Sequence, residues 1–279
     1  MKINWFPGHM TKSLRMISQE IANIDIVLYV LDSRAPISSM NPKLDQIIKN
    51  KPVIYILNKS DLSDDKANVK WKLFFEQEKN SKAIIINSTI SNSSKQIIEE
   101  IKNVLADKIL RDKNRGIKKP LKAMVIGIPN SGKSTLINNL SMKKKTITGD
   151  KPGVTRGKQW VRISEGIELL DTPGTLYPNL ENQEIAKKLA FIGSIKDQVY
   201  DIEELTLYLL EDLSKKNISA IEKRYGIDLD DLTPIEMYEK ICKRMGFIIK
   251  GGDIDYQRGA QSVLDDFRKG TLGRFTLDD

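Results

Sequence analysis

At 279 residues, with 40% hydrophobic and 29% charged side chains, the chain has the make-up of an ordinary two-domain globular protein, which excludes disordered and fibrous classes. A single cysteine, Cys242, rules out an internal disulfide, and with one histidine in the chain it leaves no zinc-type ligand set. The net charge of +8 is unevenly spread: residues 1–180 hold 30 Lys and Arg against 17 Asp and Glu (+13), residues 181–279 hold 15 against 20 (−5), and the basic excess suits a polyanion such as nucleic acid.

Along the first 180 residues, short runs rich in β-branched side chains at 26–31, 53–57, 83–86, 123–126, 160–163 and 167–170 alternate with helical stretches. That alternation predicts a mostly parallel sheet with flanking helices. The longest apolar run, 26–31, falls far short of the roughly 18 residues that cross a bilayer, and no leader pattern precedes it. A cytoplasmic chain without a membrane segment is expected. A helical pattern over 93–110 runs into 111–120, which carries five basic residues against one acidic, ends in Pro120 and reads as a solvated linker. After Tyr177 helical periodicity takes over, as in Ile202, Leu205, Leu209 and Leu213. Thr233-Pro234-Ile235-Glu236 has the form of a capping box with Gly246 as a stop, and a last helix is expected over 255–269, ended by Gly270. The expected organisation is an α/β domain over 1–178 and a small all-helical domain over 179–279.

Three motifs follow predicted strands, where side chains at the carboxyl ends of a parallel sheet face a ligand crevice. Asn58-Lys59-Ser60-Asp61 follows the second strand, Gly127-Ile128-Pro129-Asn130-Ser131-Gly132-Lys133-Ser134 the fourth, and Asp171-Thr172-Pro173-Gly174 the sixth. The long motif fits the phosphate-binding pattern G-x-x-x-x-G-K-[ST]. Its glycines let backbone N–H groups converge on phosphate oxygens, the helix behind adds its positive end, Lys133 reaches the β and γ phosphates, and Ser134 ligates magnesium. Asn130, Ser131, Gly132 and Thr135 complete the expected contact set.

A phosphate loop alone serves ATP or GTP, so the base-reading element decides. A carboxylate at Asp61 accepts from both guanine N1–H and the exocyclic amine, whereas adenine offers no matching donor pair. With Asn58 and Lys59 beside it, the segment is similar to the N-K-x-D guanine signature of GTPases. Ser88, in Asn87-Ser88-Thr89, is placed to support the base. Asp171 would hold magnesium through water, the Gly174 N–H would sense the γ phosphate, and Thr155, in the Pro-Gly segment 151–156, would supply a second magnesium ligand. Two alternatives are an ATP-dependent small-molecule kinase, against which Asn58–Asp61 speaks, and a GTP-gated RNA-binding scaffold with little turnover, against which Lys133, Ser134 and Asp171 speak.

Order along the chain adds a further constraint. In ordinary GTPases the phosphate loop precedes the guanine motif, and here Asn58–Asp61 precedes Gly127–Ser134, so the first domain reads as a circularly permuted P-loop GTPase. Together with Asn4-Trp5-Phe6-Pro7-Gly8-His9-Met10-Thr11-Lys12 and Asp32-Ser33-Arg34-Ala35-Pro36, the permuted motifs make the chain resemble the circularly permuted GTPases of the ribosome-assembly group. The likeness covers almost the full length and is looser toward the C-terminus. It implies GTP hydrolysis late in assembly of the bacterial large ribosomal subunit, with the subunit precursor, rRNA and ribosomal proteins as partners and a C-terminal domain that engages rRNA. A monomer is expected. Thr175 departs from the family, where an aliphatic residue often follows the glycine, and no glutamine stands there to orient water. The resemblance assigns catalysis to His9, and, as in related GTPases, gives Asn130 a potassium ion that neutralises charge developing between the phosphates. Trp5, Trp71, Trp160, Met16 and Met124 read as packing residues.

Overall fold

The expected strands form one six-stranded sheet: β1 (Ile26–Asp32), β2 (Val53–Asn58), β3 (Ser81–Ile85), β4 (Leu121–Gly127), β5 (Gln159–Ser164) and β6 (Ile167–Asp171). The strand order is β3-β2-β1-β4-β6-β5. All neighbours are parallel except β5, which runs antiparallel to β6 at the edge. The computed structural model describes residues 10–77, 80–90, 93–141, 159–176 and 182–279. These divide into two units, one of residues 10–60 and 65–176, the other of residues 61–64 and 182–279.

In the first unit the central strands are buried on both faces, which is why they read as unbroken apolar runs rather than alternating ones. On one face Ile26, Leu28 and Val30 pack with α4 (Ser93–Val104) through Ile97 and Ile101, and with α6 (Lys133–Leu140) through Leu136, Ile137 and Leu140. On the other, Val27, Tyr29 and Leu31 pack with α1 (Met10–Glu20), α2 (Pro42–Ile48) and α3 (Asp65–Phe75) through Ile17, Leu44, Ile48, Trp71 and Phe75. Trp71 and Met124 are core residues as expected, whereas Trp160 is exposed on edge strand β5, under the Lys122 ammonium.

One boundary differs from the sequence reading. The helical pattern over 93–110 is two helices, α4 and α5 (Ala106–Asn114), broken at Leu105, whose backbone (φ −99°, ψ 14°) leaves helical geometry although its side chain stays on the buried face of Ile97 and Ile101. α5 buries none of its residues and runs on through the basic segment to Asn114. It is supported there by the Lys108–Asp112 pair and by Arg111 and Lys113 in its last turn. The linker is therefore shorter than expected, beginning at Arg115.

The second unit contains α7 (Gln183–Phe191), α8 (Ile202–Tyr225), α9 (Pro234–Met245) and α10 (Tyr256–Lys269). The Thr233–Glu236 capping box forms, and Gly246 and Gly270 end their helices in the left-handed conformation. Within α8, Asn217 leaves helical geometry (φ −165°, ψ 85°), and its Oδ1 accepts the Ala220 N–H at 3.3 Å, restarting the helix as an N-cap would. Arg268 holds the end of α7, donating to the carbonyls of Ala190 (2.9 Å) and Phe191 (3.1 Å) and to Asp197. The final residues lie along 62–64: Phe275 N–H donates to Leu62 O (3.2 Å), Arg274 Nε to Ser63 O (2.8 Å), and Asp64 N–H to Thr276 Oγ1 (3.3 Å). Among the described residues no helix is long and apolar enough to cross a membrane.

Candidate nucleotide-binding site

Four strand ends meet at one edge of the sheet. Asp32 ends β1 opposite Asn58 of β2, Gly127 ends β4, and Asp171 ends β6 opposite Val125. This is the carboxyl edge of a parallel sheet, where the loops that follow converge on a shared crevice.

The phosphate loop runs from Gly127 to the first turn of α6, and two of its glycines are sterically required. Gly127 has φ +149°, and a Cβ there would collide with the Val30 carbonyl oxygen. Gly132, at φ +93° and at the N-cap of α6, sits so close to the Asn58 amide nitrogen that any side chain would displace it. The Ser131 hydroxyl donates to Ile128 O (3.0 Å), and the buried Lys133 ammonium donates to the same carbonyl (2.6 Å). Burial pushes the Lys133 ammonium down to about 8, with Lys59 adding to the fall and Asp171 opposing it. Ser134 is exposed and Thr135 half-buried in the first turn of α6, where unpaired backbone N–H groups and the helix dipole favour an anion.

The guanine-type motif is stitched to this loop by its own side chains. Asn58 is fully buried; its Nδ2 donates to Ser131 O (2.8 Å) and its Oδ1 accepts the Ser88 N–H (3.0 Å). One amide thus joins the expected base-reading, base-supporting and phosphate-binding segments. Asn139 of α6 donates in turn to Ser88 O. Lys59, in the left-handed conformation (φ +59°), donates from Nζ to Asn130 O at 2.6 Å and to Asp32 Oδ2 at 2.9 Å. Asn130 is exposed and also left-handed (φ +59°). Asp61 is exposed in the short turn Ser60–Leu62, one residue beyond this cluster, and is counted with the second unit.

Asp171 is buried at the end of β6, and its Oδ2 has no hydrogen-bond partner among the described residues. Burial raises its pKa, against the Lys133 charge and the Thr172 N–H. A buried, unpartnered carboxylate oxygen beside a phosphate loop fits a hard divalent cation such as magnesium. The next residues are fixed on both sides: Thr172 Oγ1 donates to Val125 O (2.6 Å), Thr175 N–H donates to Gly127 O (3.0 Å), and Asn41 Nδ2 donates to Thr175 O (3.3 Å).

The structure therefore brings together Asn58, Lys59, Ser88, Asn130, Ser131, Gly132, Lys133, Ser134, Thr135, Asp171 and Gly174 within one unit. His9 and Thr155 lie outside the described residues. Sequence reasoning gave no role to Asp32, Arg34 or Asn41. The signal for Asp32 was a lone carboxylate closing an otherwise apolar strand, a position that aims it at the crevice.

Comparison with known proteins follows the same lines. Residues 122–235 match the family model described as 50S ribosome-binding GTPase. The ribosome biogenesis GTPase A of Priestia megaterium is 40% identical over 100% of this chain and 97% of its own length. That of Bacillus cereus is 38% identical over 100% and 94%. The crystal structure of GNP-bound YlqF from T. maritima superposes with a TM-score of 0.66 at 24% identity, covering 96% of this chain and 97% of that one, which is a likeness of fold.

Proposed function

The chain belongs to the ribosome biogenesis GTPase A family and is a GTP-hydrolysing enzyme, and on that premise we propose that it acts late in maturation of the large ribosomal subunit. In this reading it is cytoplasmic and monomeric and binds the precursor particle, its rRNA and its ribosomal proteins in a nucleotide-dependent way. The observation that carries the reading is the Asn58 amide, which ties the guanine-type motif to the phosphate loop despite their reversed order in the chain. Asp61 reads guanine, Asn58, Lys59 and Ser88 shape the base pocket, and residues 130–135 with Lys133 hold the phosphates. Ser134, Thr155 and Asp171 would hold magnesium, which would supply positive charge to the phosphates.

Gly174 is the γ-phosphate sensor in this scheme, and its neighbour Thr175 is anchored to the phosphate loop through Gly127 O. His9 orients the attacking water, and the exposed Asn130 side chain would help hold potassium, which would supply positive charge against the phosphates. The basic excess of residues 1–180 supports contact with rRNA. Co-sedimentation with large-subunit particles tests the proposal. Binding is expected to be tighter with a non-hydrolysable GTP analogue than with GDP and to weaken as salt rises; equal binding in every nucleotide state would overturn it.

A further inference from the structure

Asp32 stands at the centre of the site edge and takes no part in the scheme above. It is fully buried at the end of β1, between the strand that leads to the guanine-type motif and the strand that leads to the phosphate loop. Arg34, itself buried, reaches back to it with Nε on Oδ1 (2.9 Å) and Nη2 on Oδ2 (2.7 Å), and the Arg34 N–H adds a third bond to Oδ1 (3.1 Å). The Asp32 N–H donates to Ser39 Oγ at 3.3 Å. Oδ2 is shared with Lys59 Nζ, at 2.9 Å. Burial alone would raise the Asp32 pKa, but Arg34 and Lys59 outweigh it and hold the carboxyl well below its usual range.

A buried carboxylate needs one good cationic partner, and the two-point Arg34 contact already supplies it. The second cation, Lys59, is also bonded to the phosphate loop through Asn130 O. We infer that Asp32 is a positioning residue for nucleotide binding, acting through Lys59 to set the spacing between the base-reading and phosphate-binding loops. The Asn58–Ser131 and Lys59–Asn130 bonds span these loops side by side, and a nucleotide must bridge the same gap. An ammonium on a four-carbon stem has many rotamers of its own. Asp32 selects the one that points along the strand ends, so Lys59 is ordered before ligand arrives and less entropy is lost on binding. The inference rests on the reading of 58–61 and 127–134 as a guanine-nucleotide site.

The test is a double-mutant cycle on the full chain, with Asp32→Asn, Lys59→Met and the double variant titrated with fluorescent GDP and followed by thermal unfolding without nucleotide. Asp32→Asn is expected to raise the Kd for GDP about ten-fold, in keeping with loss of a charge-assisted bond, and to raise it less than about two-fold in the Lys59→Met background. Should Asp32→Asn fail to fold because Arg34 is left unpaired, the same cycle is run in an Arg34→Met background, where charge is removed from both members of that pair. Additive losses in GDP affinity, or an unchanged Kd in folded Asp32→Asn, would overturn the inference and leave the functional reading standing. No GDP binding by the unaltered chain would overturn both.

Discussion

Gly174 backs directly onto Lys133: a Cβ built there would stand 3.0 Å from the ammonium nitrogen and 2.9 Å from both N and Cα of Pro129. The third motif thus lies in contact with the phosphate loop, and its glycine is required by space rather than by backbone conformation. Gly174→Ala must push the loop or the lysine aside. Affinity for a GTP analogue is expected to fall about ten-fold or more, and GDP affinity less, because overpacking of this kind costs on the order of 1–3 kcal/mol and acts where the γ phosphate would lie. Parallel titrations with the two nucleotides check it, and equal losses would separate Gly174 from γ-phosphate sensing.

The lowered Lys133 pKa makes a pH prediction with two opposite signs. Without ligand, the folded chain binds fewer protons at this site than the unfolded chain between about pH 8 and the ordinary lysine value of 10.5. Stability from this group therefore rises with pH across that window, and Lys133→Met should abolish the rise in urea unfolding. Phosphate favours the ammonium, so nucleotide binding takes up a proton above about pH 8, and affinity should fall by up to ~10-fold per pH unit there. Affinity that stays level through this range would show that Lys133 does not meet phosphate.

Base selectivity should respond to Asp61. Asp61→Asn replaces one of two acceptor oxygens with a donor, which leaves guanine donors unpaired and should weaken GTP binding by ~2 kcal/mol or more. Competition between guanine and adenine nucleotides reads the effect, and an unchanged preference for guanine would move base recognition elsewhere.

Catalysis should respond to His9. His9→Ala is expected to keep GTP affinity near that of the unaltered chain while lowering turnover roughly ten- to thousand-fold, most clearly on the ribosomal particle. Full turnover in the variant would leave Asn130 and its potassium ion as the catalytic element, a role that replacing potassium by sodium would then test.

Stability of the helical unit should depend on Arg268, whose guanidinium serves two carbonyls at the end of α7 and the Asp197 carboxylate. Arg268→Ala strands these acceptors and should cost about 2–3 kcal/mol. A urea midpoint unchanged within error would mean that water replaces the guanidinium without loss.

How far the sequence carried these conclusions follows from how local each signal was. The central strands announced themselves because both faces are buried, and the phosphate loop because only glycine fits at Gly127 and Gly132. The break at Leu105 was hidden: Leu105 keeps the helical period of Ile97 and Ile101, and only its backbone dihedrals divide α4 from α5. The Asp32–Lys59 and Asn41–Thr175 bonds join residues 27 and 134 positions apart. Nothing in the spacing of either pair encodes the contact, which exists only once strand order places β1 between β2 and β4.

The strap that Arg274, Phe275 and Thr276 lay along residues 62–64 has a genetic consequence. A nonsense codon just after Gly270 would spare every motif of the nucleotide site and all of α10, yet would remove these three bonds from the residues immediately after Asp61. If Asp61 reads guanine as proposed, late truncations of this gene should behave as alleles of guanine recognition as well as of the helical region that they visibly shorten. Such alleles should map, in their phenotype, beside substitutions more than 200 positions upstream.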